Sequence, residues 1–245
     1  MKGKIILTVL LCLNVAMAAS QKFEVAELNL GPQCPGAADV YKDIVSYISR
    51  KTSLIPSDTL PKVDLSTDAI FNYGMLLLSC NLSPGSLDYF SLLRLRKYLM
   101  SGGFLFINNL SPAGEEFDDW VRRTANLLFP MENIRPVSEK HAVLRSFFLI
   151  NKRGGRFSIG PILESVNYGT KSPIIYSRND IISIWRKDST GGYLYPCLPG
   201  GEDQREIGKR ILLNIFIYSV TGTYKLDAVH QPYIIRKMRI LNGGN

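Results

Sequence analysis

Two short runs of uninterrupted apolar residues, GMLLLS from Gly74 to Ser79 and FLFI from Phe104 to Ile107, constrain this fold more than any other feature of the chain. A strand with one solvated face alternates apolar and polar residues. These runs have no polar face to offer water, so each reads as a strand buried on both sides and requires helices above and below it. Between them, Ser83 and Pro84 supply a helix N-cap and a first helical residue. Tyr89, Leu92, Leu95 and Leu99 then recur at helical spacing, with Asp88, Arg94 and Lys97 turned to water. Gly102 permits the left-handed stop that ends this helix.

The same alternation extends along the chain. Phe23 to Leu30 reads as a first strand, Gly31 to Pro35 as a loop, and Val40, Ile44, Tyr47 and Ile48 as one face of a helix that fades near Lys51 and Thr52. A short strand is expected around Val63. Glu115 to Phe129 reads as an amphipathic helix ended by Pro130, and Ile174 to Ser177 as another short strand. The last helix begins near Glu202; its apolar run from Ile211 to Val220 is nearly all-round, which predicts deep packing, with Gly222 closing it. The stretch from Arg135 to Val166 is irregular and rich in breakers, and reads as an excursion at one sheet edge. Strands alternating with helices predict an α/β fold: a doubly wound, mostly parallel sheet with helices on both faces.

The amino terminus carries Lys2 and Lys4, an apolar run from Ile5 to Val15, and the small-residue frame Ala16, Met17, Ala18. This pattern predicts a signal peptide over residues 1–18 and an exported, periplasmic or cell-envelope protein. The apolar run is too short for a membrane helix, and no later segment supplies one. The predicted α/β domain covers 19–223 and a basic extension 224–245. Loss of Lys2 and Lys4 takes the formal charge from +8 to about +6. The remaining cations are dispersed apart from Arg236, Lys237 and Arg239, and export and the lack of a basic-aromatic motif both argue against nucleic acid. Of the four cysteines, Cys34, Cys80 and Cys197 survive cleavage, enough for one disulfide whose partners the sequence does not choose.

The order of these pieces resembles the bacterial family called domain of unknown function 4159. The matching words are AELNLG near the start, LRLRKYLMSGGFLFINN, LLFP, HAVLRSFF, IIYSRNDI with Trp185, and LLNIFIYSVTGTYKLDAVHQP near the end. The resemblance implies a flavodoxin-like or class I glutamine-amidotransferase-like sandwich with no assigned reaction. By family analogy it implies cell-envelope partners that include von Willebrand A-type proteins and AAA ATPases. The chain departs from many relatives at Asn108 and Asn109, where they carry acidic residues; amides have no acid–base role near neutral pH.

An active amidotransferase needs a nucleophile on a tight strand-to-helix elbow, with a histidine and an acid behind it. No GxCxG or GxSxG word is present. Cys80 follows a buried strand, and His141 or His230 are the histidines that could serve it, though Cys80 also reads as a strand-ending small residue and His141 as a helix cap. Ligands in open α/β sheets bind outside the carboxyl ends of strands. Asn108 and Asn109, with Arg178, Asn179 and Asp180, stand after two predicted strands and would converge on one polar pocket if those strands are neighbours, Arg178 clamping an anion. Tyr224, Lys225, Asp227 and His230 form a candidate partner-binding word. No metal-ligand spacing, P-loop or dinucleotide fingerprint occurs, so no metal or cofactor is expected. The expected function is a non-catalytic binding or assembly module of the envelope; the alternatives are an exported hydrolase or a receptor for a small anion.

Overall fold

In the computed structural model, which describes residues 22–111 and 114–221, seven strands form one sheet. They are β1 (Val25–Leu28), β2 (Lys62–Val63), β3 (Met75–Cys80), β4 (Phe104–Asn109), β5 (Arg135–Pro136), β6 (Glu164–Tyr168) and β7 (Lys171–Ser177). The four α-helices are α1 (Tyr41–Lys51), α2 (Tyr89–Met100), α3 (Glu115–Leu128) and α4 (Gly201–Thr221). The strand order is β2-β1-β3-β4-β7-β6-β5; the first five are parallel neighbours, while β6 runs antiparallel to both β7 and β5. The apolar runs of β3 and β4 pair with each other over their whole length, from Met75 opposite Phe104 to Cys80 opposite Asn109.

Successive side chains of a strand point to opposite faces, and here they feed two separate cores. Val25, Met75, Leu77, Phe104, Phe106 and Ile175 pack with Ile44 and Ile48 of α1 and with Leu212, Ile215 and Phe216 of α4. Their alternates Ala26, Leu76, Leu78, Leu105, Ile107 and Ile174 pack with Leu95 and Leu99 of α2 and with Phe117, Val121 and Leu128 of α3. Both faces of the central strands are therefore covered by helices, as their composition requires. The apolar run of α4 is buried from Ile211 to Phe216, as expected, but the depth does not reach its end: Val220 is 43 % exposed. Gly102 takes φ +104 at the end of α2, the left-handed stop expected there.

Three local expectations are corrected. α2 starts at Tyr89 and not at Pro84, because the Asp88 carboxylate accepts the Phe90 and Ser91 amides, satisfying two orphan donors at once. The Ser83 hydroxyl instead closes a turn onto Gly85. Tyr89 does not belong to the buried stripe: it is 68 % exposed, and the inner face is Ser91, Leu95, Tyr98 and Leu99. The excursion after Arg135 does lie at the sheet edge, but it adds two strands, β5 and β6, that the sequence reading lacks. Pro136 is tolerated there because an edge strand has a side with no ladder to donate to.

Phe106 is fully buried at the centre of the sheet, whereas Phe90 is 72 % exposed on α2. Phe106→Ala is expected to lower unfolding free energy by about 3–5 kcal/mol. Phe90→Ala is expected to change it by less than about 0.5 kcal/mol. Paired urea titrations of the two variants check the difference.

Candidate functional site

The carboxyl ends of β3, β4 and β7 lie side by side, so the polar residues that end them meet. Asn108 stands opposite Ser79 on one side and Ser177 on the other, and Asn109 opposite Cys80. Because neighbours on a strand point to opposite faces, the two asparagines are sent into different surroundings.

Asn108 turns toward the segment after β7. Its Nδ2 donates to Asp180 Oδ1 at 3.1 Å, and its Oδ1 accepts the Ile181 amide at 2.9 Å. Asp180 Oδ1 also accepts the Ser183 amide at 3.0 Å, while Oδ2 has no hydrogen-bond partner among the described residues and stands 3.8 Å from Arg156 Nη1. Asp180 takes φ +51, a left-handed conformation that Asn and Asp tolerate better than most side chains. Burial pushes its carboxyl above the ordinary value of 3.8, against the lowering influence of the Ser183 and Asn108 bonds and the Arg156 charge.

Asn109 turns to the other face. Its Nδ2 donates to the Tyr176 hydroxyl at 3.3 Å, and its Oδ1 accepts the Ser111 amide at 2.9 Å. Tyr176 in turn donates to Asp118 Oδ1 at 3.0 Å, near the start of α3. Arg122, one turn further along, bonds Asp118 Oδ2 at 2.9 Å and Glu164 Oε1 at 3.1 Å. Burial opposes the Arg122 charge, but the two carboxylates outweigh it and hold the guanidinium above its usual pKa. Burial first, then the Asp118 charge, pushes the Tyr176 phenol up. This network was missing from the sequence reading: Asp118 and Arg122 are visible as an i,i+4 pair, but Glu164 joins them only through β6, which lies between β7 and the edge strand β5.

Arg178, Asn179 and Asp180 separate. Arg178 points to Asp118, with Nε 3.2 Å from Oδ1 in an ion pair. Asn179 holds the 159–161 segment, accepting the Ile159 and Gly160 amides at 3.1 and 3.0 Å and donating to the Pro161 carbonyl at 2.7 Å. Of the proposed pocket, then, Asn108 and Asp180 come together, and Arg178 and Asn179 diverge. Asn108, Asn109, Asn179 and Asp180 are all fully buried. They lace the loop after β7 to β4 and to the excursion that covers it.

The remaining candidates also have structural partners. Cys80 is disulfide-bonded to Cys34, which ties the loop after β1 to the end of β3 and leaves Cys80 without a thiol. Among the described residues Cys197 is the free cysteine; it is buried, and burial raises its thiol pKa. Beside the disulfide, Gly36 takes φ +79 and donates its amide to the Ser79 carbonyl, and a Cβ there would lie 1.9 Å from Glu27 Oε2. Only glycine fits between that buried carboxylate and β3. His141 Nδ1 accepts the Val143 amide at 3.2 Å, capping the 3-10 turn at Ala142–Leu144, and its Nε2 lies 2.9 Å from Ser172 Oγ.

The accepting Nδ1 fixes the neutral tautomer with hydrogen on Nε2, so the ring donates to Ser172, and Ser172 donates to Asn167 Oδ1 at 2.6 Å. That polarity is the reverse of a base drawing a proton from a serine. Burial lowers the His141 pKa and keeps the ring neutral. Ser172 is also near the amino end of β7, at the opposite end of the sheet from Cys80. His230, Tyr224, Lys225 and Asp227 lie outside the described residues, as does Gly222.

A raised aspartate pKa means that the folded state holds its proton over a range where the unfolded chain has lost it, so stability falls as pH rises through that range. Asp180→Asn keeps the accepting oxygen and the left-handed backbone while removing the ionisation. The expected result is a melting temperature that falls less, or not at all, relative to wild type as pH is raised from about 4 upward. Parallel thermal melts of the two proteins across pH measure it.

No curated protein matched this sequence. The family model described as Domain of unknown function (DUF4159) matches residues 25–220, nearly the whole of the described chain, and the protein belongs to that family.

Proposed function

We propose that the chain is an exported, non-catalytic, amidotransferase-like domain that works as a binding or assembly module of the bacterial cell envelope. The observation that carries this reading is an exposed apolar face on α2. Tyr89, Phe90 and Leu93 stand on the helix, and Phe71, on the preceding 3-10 turn at Asp68–Asn72, stands beside them; all four are exposed. Phe71, Phe90 and Leu93 line one shallow depression with Asp68, Arg94 and Lys97. Large exposed apolar side chains together with charged ones are a composition that suits a protein-binding surface.

Three further observations support the reading. The polar residues at the carboxyl ends of β4 and β7 are taken up in internal bonds, which favours a scaffold over a reaction centre at that address. The Cys34–Cys80 disulfide suits an oxidising compartment and agrees with the signal-peptide pattern of residues 1–18. The parallel order β2-β1-β3-β4-β7 repeats the 2-1-3-4-5 succession of doubly wound flavodoxin-like sheets, with β6 and β5 added at one edge. The partners by family analogy are von Willebrand A-type and AAA ATPase-associated envelope systems.

Phe90→Glu with Leu93→Glu changes only exposed positions, so the folded protein is expected to melt within a few degrees of wild type. Affinity capture from the native envelope is expected to recover partner proteins with the wild-type chain and to lose them with this variant. Recovery of wild type alone across gentle detergents, or of the same partners with both proteins, would contradict the proposal.

A further inference from the structure

On the side of the molecule away from that face, a cleft of about 210 Å³ opens between α1, α4 and the loop that follows the 3-10 turn at Ser183–Trp185. Its walls are held in place by a set of internal bonds. Arg205 of α4, almost wholly buried, donates to the Ile184 and Tyr195 carbonyls at 2.7 Å each, clamping both sides of the loop where it leaves the body. Between those points the chain folds back on itself, with Lys187 bridged to Tyr193 and the turn closed by Asp188, which accepts the Thr190 and Gly192 amides. Arg186 anchors the hairpin to Asp39 and to the Gly36 carbonyl. The cleft is therefore built in advance of any ligand.

Three aromatic side chains line it. Trp185 meets Tyr47 edge to face at 5.3 Å, and Tyr193 stands across from them under the Arg205 and Lys209 cations. Trp185 is 5 % exposed, and its indole N–H is a buried donor with no acceptor among the described residues. An unpaired buried donor costs about 1–3 kcal/mol. The cations are Arg50, Lys187 and Lys209, against a single lining carboxylate, Asp43, which is paired to Lys187 at 2.8 Å. That pair is exposed on both sides and weak enough to open to a competing group. Tyr47 is already bonded to Glu206 at 3.1 Å, so its ring and not its hydroxyl is what it presents.

We propose that this cleft binds an anionic sugar, a pyranose ring carrying a carboxylate or a phosphate. The apolar C–H face of the ring is desolvated against the exposed Tyr193 ring. Arg50 and Lys209 meet the anionic group, Lys209 being held beside it by its bond to the Tyr193 hydroxyl at 2.6 Å. Asp43, Ser46 and the Tyr193 hydroxyl supply acceptors and donors for neighbouring hydroxyls. The site is separate from the α2 face and stands whether or not that face assembles with a partner.

The indole N–H resonance of Trp185 reports on the cleft directly. The chain has two tryptophans, and Trp120 is stacked on Phe117 with its N–H donated to the Gly85 carbonyl, so a Trp185→Phe spectrum assigns the signals. In the folded, disulfide-intact protein, glucuronate or glucose 6-phosphate is expected to shift the Trp185 signal saturably, and whichever binds more tightly identifies a carboxylate or a phosphate source. Neutral glucose is expected to bind at least about tenfold more weakly, as is the better sugar to the variant Arg50→Gln with Lys209→Gln, whose melting temperature reports on its fold. The proposal is overturned if neither anionic sugar moves the signal, if benzoate or inorganic phosphate binds as tightly as the sugars, or if the double variant binds unchanged.

Discussion

The two-way bond between the Asn108 carboxamide and the loop after β7 is the constraint on which the sheet end depends. A strand buried on both faces leaves no water at its terminus to satisfy a polar side chain, so every donor and acceptor there has to find a partner in the protein or cost about 1–3 kcal/mol. Asn108 answers this by donating to Asp180 and accepting from Ile181, which fixes the path of the chain as it leaves β7. Asn109 does the same on the opposite face through Tyr176 and Ser111, and Asn179 through the 159–161 segment. Backbone bonds from Arg156 to Asp180 and from Phe157 to Asn179 complete the cover. The three asparagines act as brackets between elements distant in sequence.

This closure relocates the surfaces on which the protein can act. In open α/β sheets the crevice at the strand ends is the usual place for a ligand. Here buried amides and the excursion between β5 and β6 cover the β4 and β7 part of that edge, and the Cys34–Cys80 bond staples the loop after β1 to the end of β3. What the fold offers instead is the outer face of α2 and the cleft between α1 and α4. The two lie on opposite sides of the sheet, as their helices do.

The central architecture is legible in the residues because burial leaves them little choice. The runs in β3 and β4, the helical spacing of α1 and α3 and the all-round apolar stretch of α4 each have one reading. Where the sequence misleads, a competing cap or a tertiary partner decides. Ser83 and Pro84 have the composition of a helix start, but Asp88 reaches two amides and Ser83 reaches one. Glu164, Ser165 and Asn167 make β6 too polar to recognise, because its charge is neutralised by Arg122 from another element. The polar strand ends are legible as an address and not as a role, since an asparagine awaiting a ligand and one bracketing a loop have the same sequence. The cleft on α1 is less visible still, being assembled from Tyr47, Trp185, Tyr193 and Lys209, residues far apart along the chain.

Native-state hydrogen exchange at the amides of Ile159, Gly160, Ile181 and Ser183 tests the central claim most directly, since each donates to Asn108, Asn179 or Asp180. If the asparagines are brackets that close the sheet end, these four amides belong to the slowest-exchanging class, with opening free energies equal to that of global unfolding. Exchange through local openings far below the global value would contradict the account, because it would mean that the strand ends are an accessible, mobile edge.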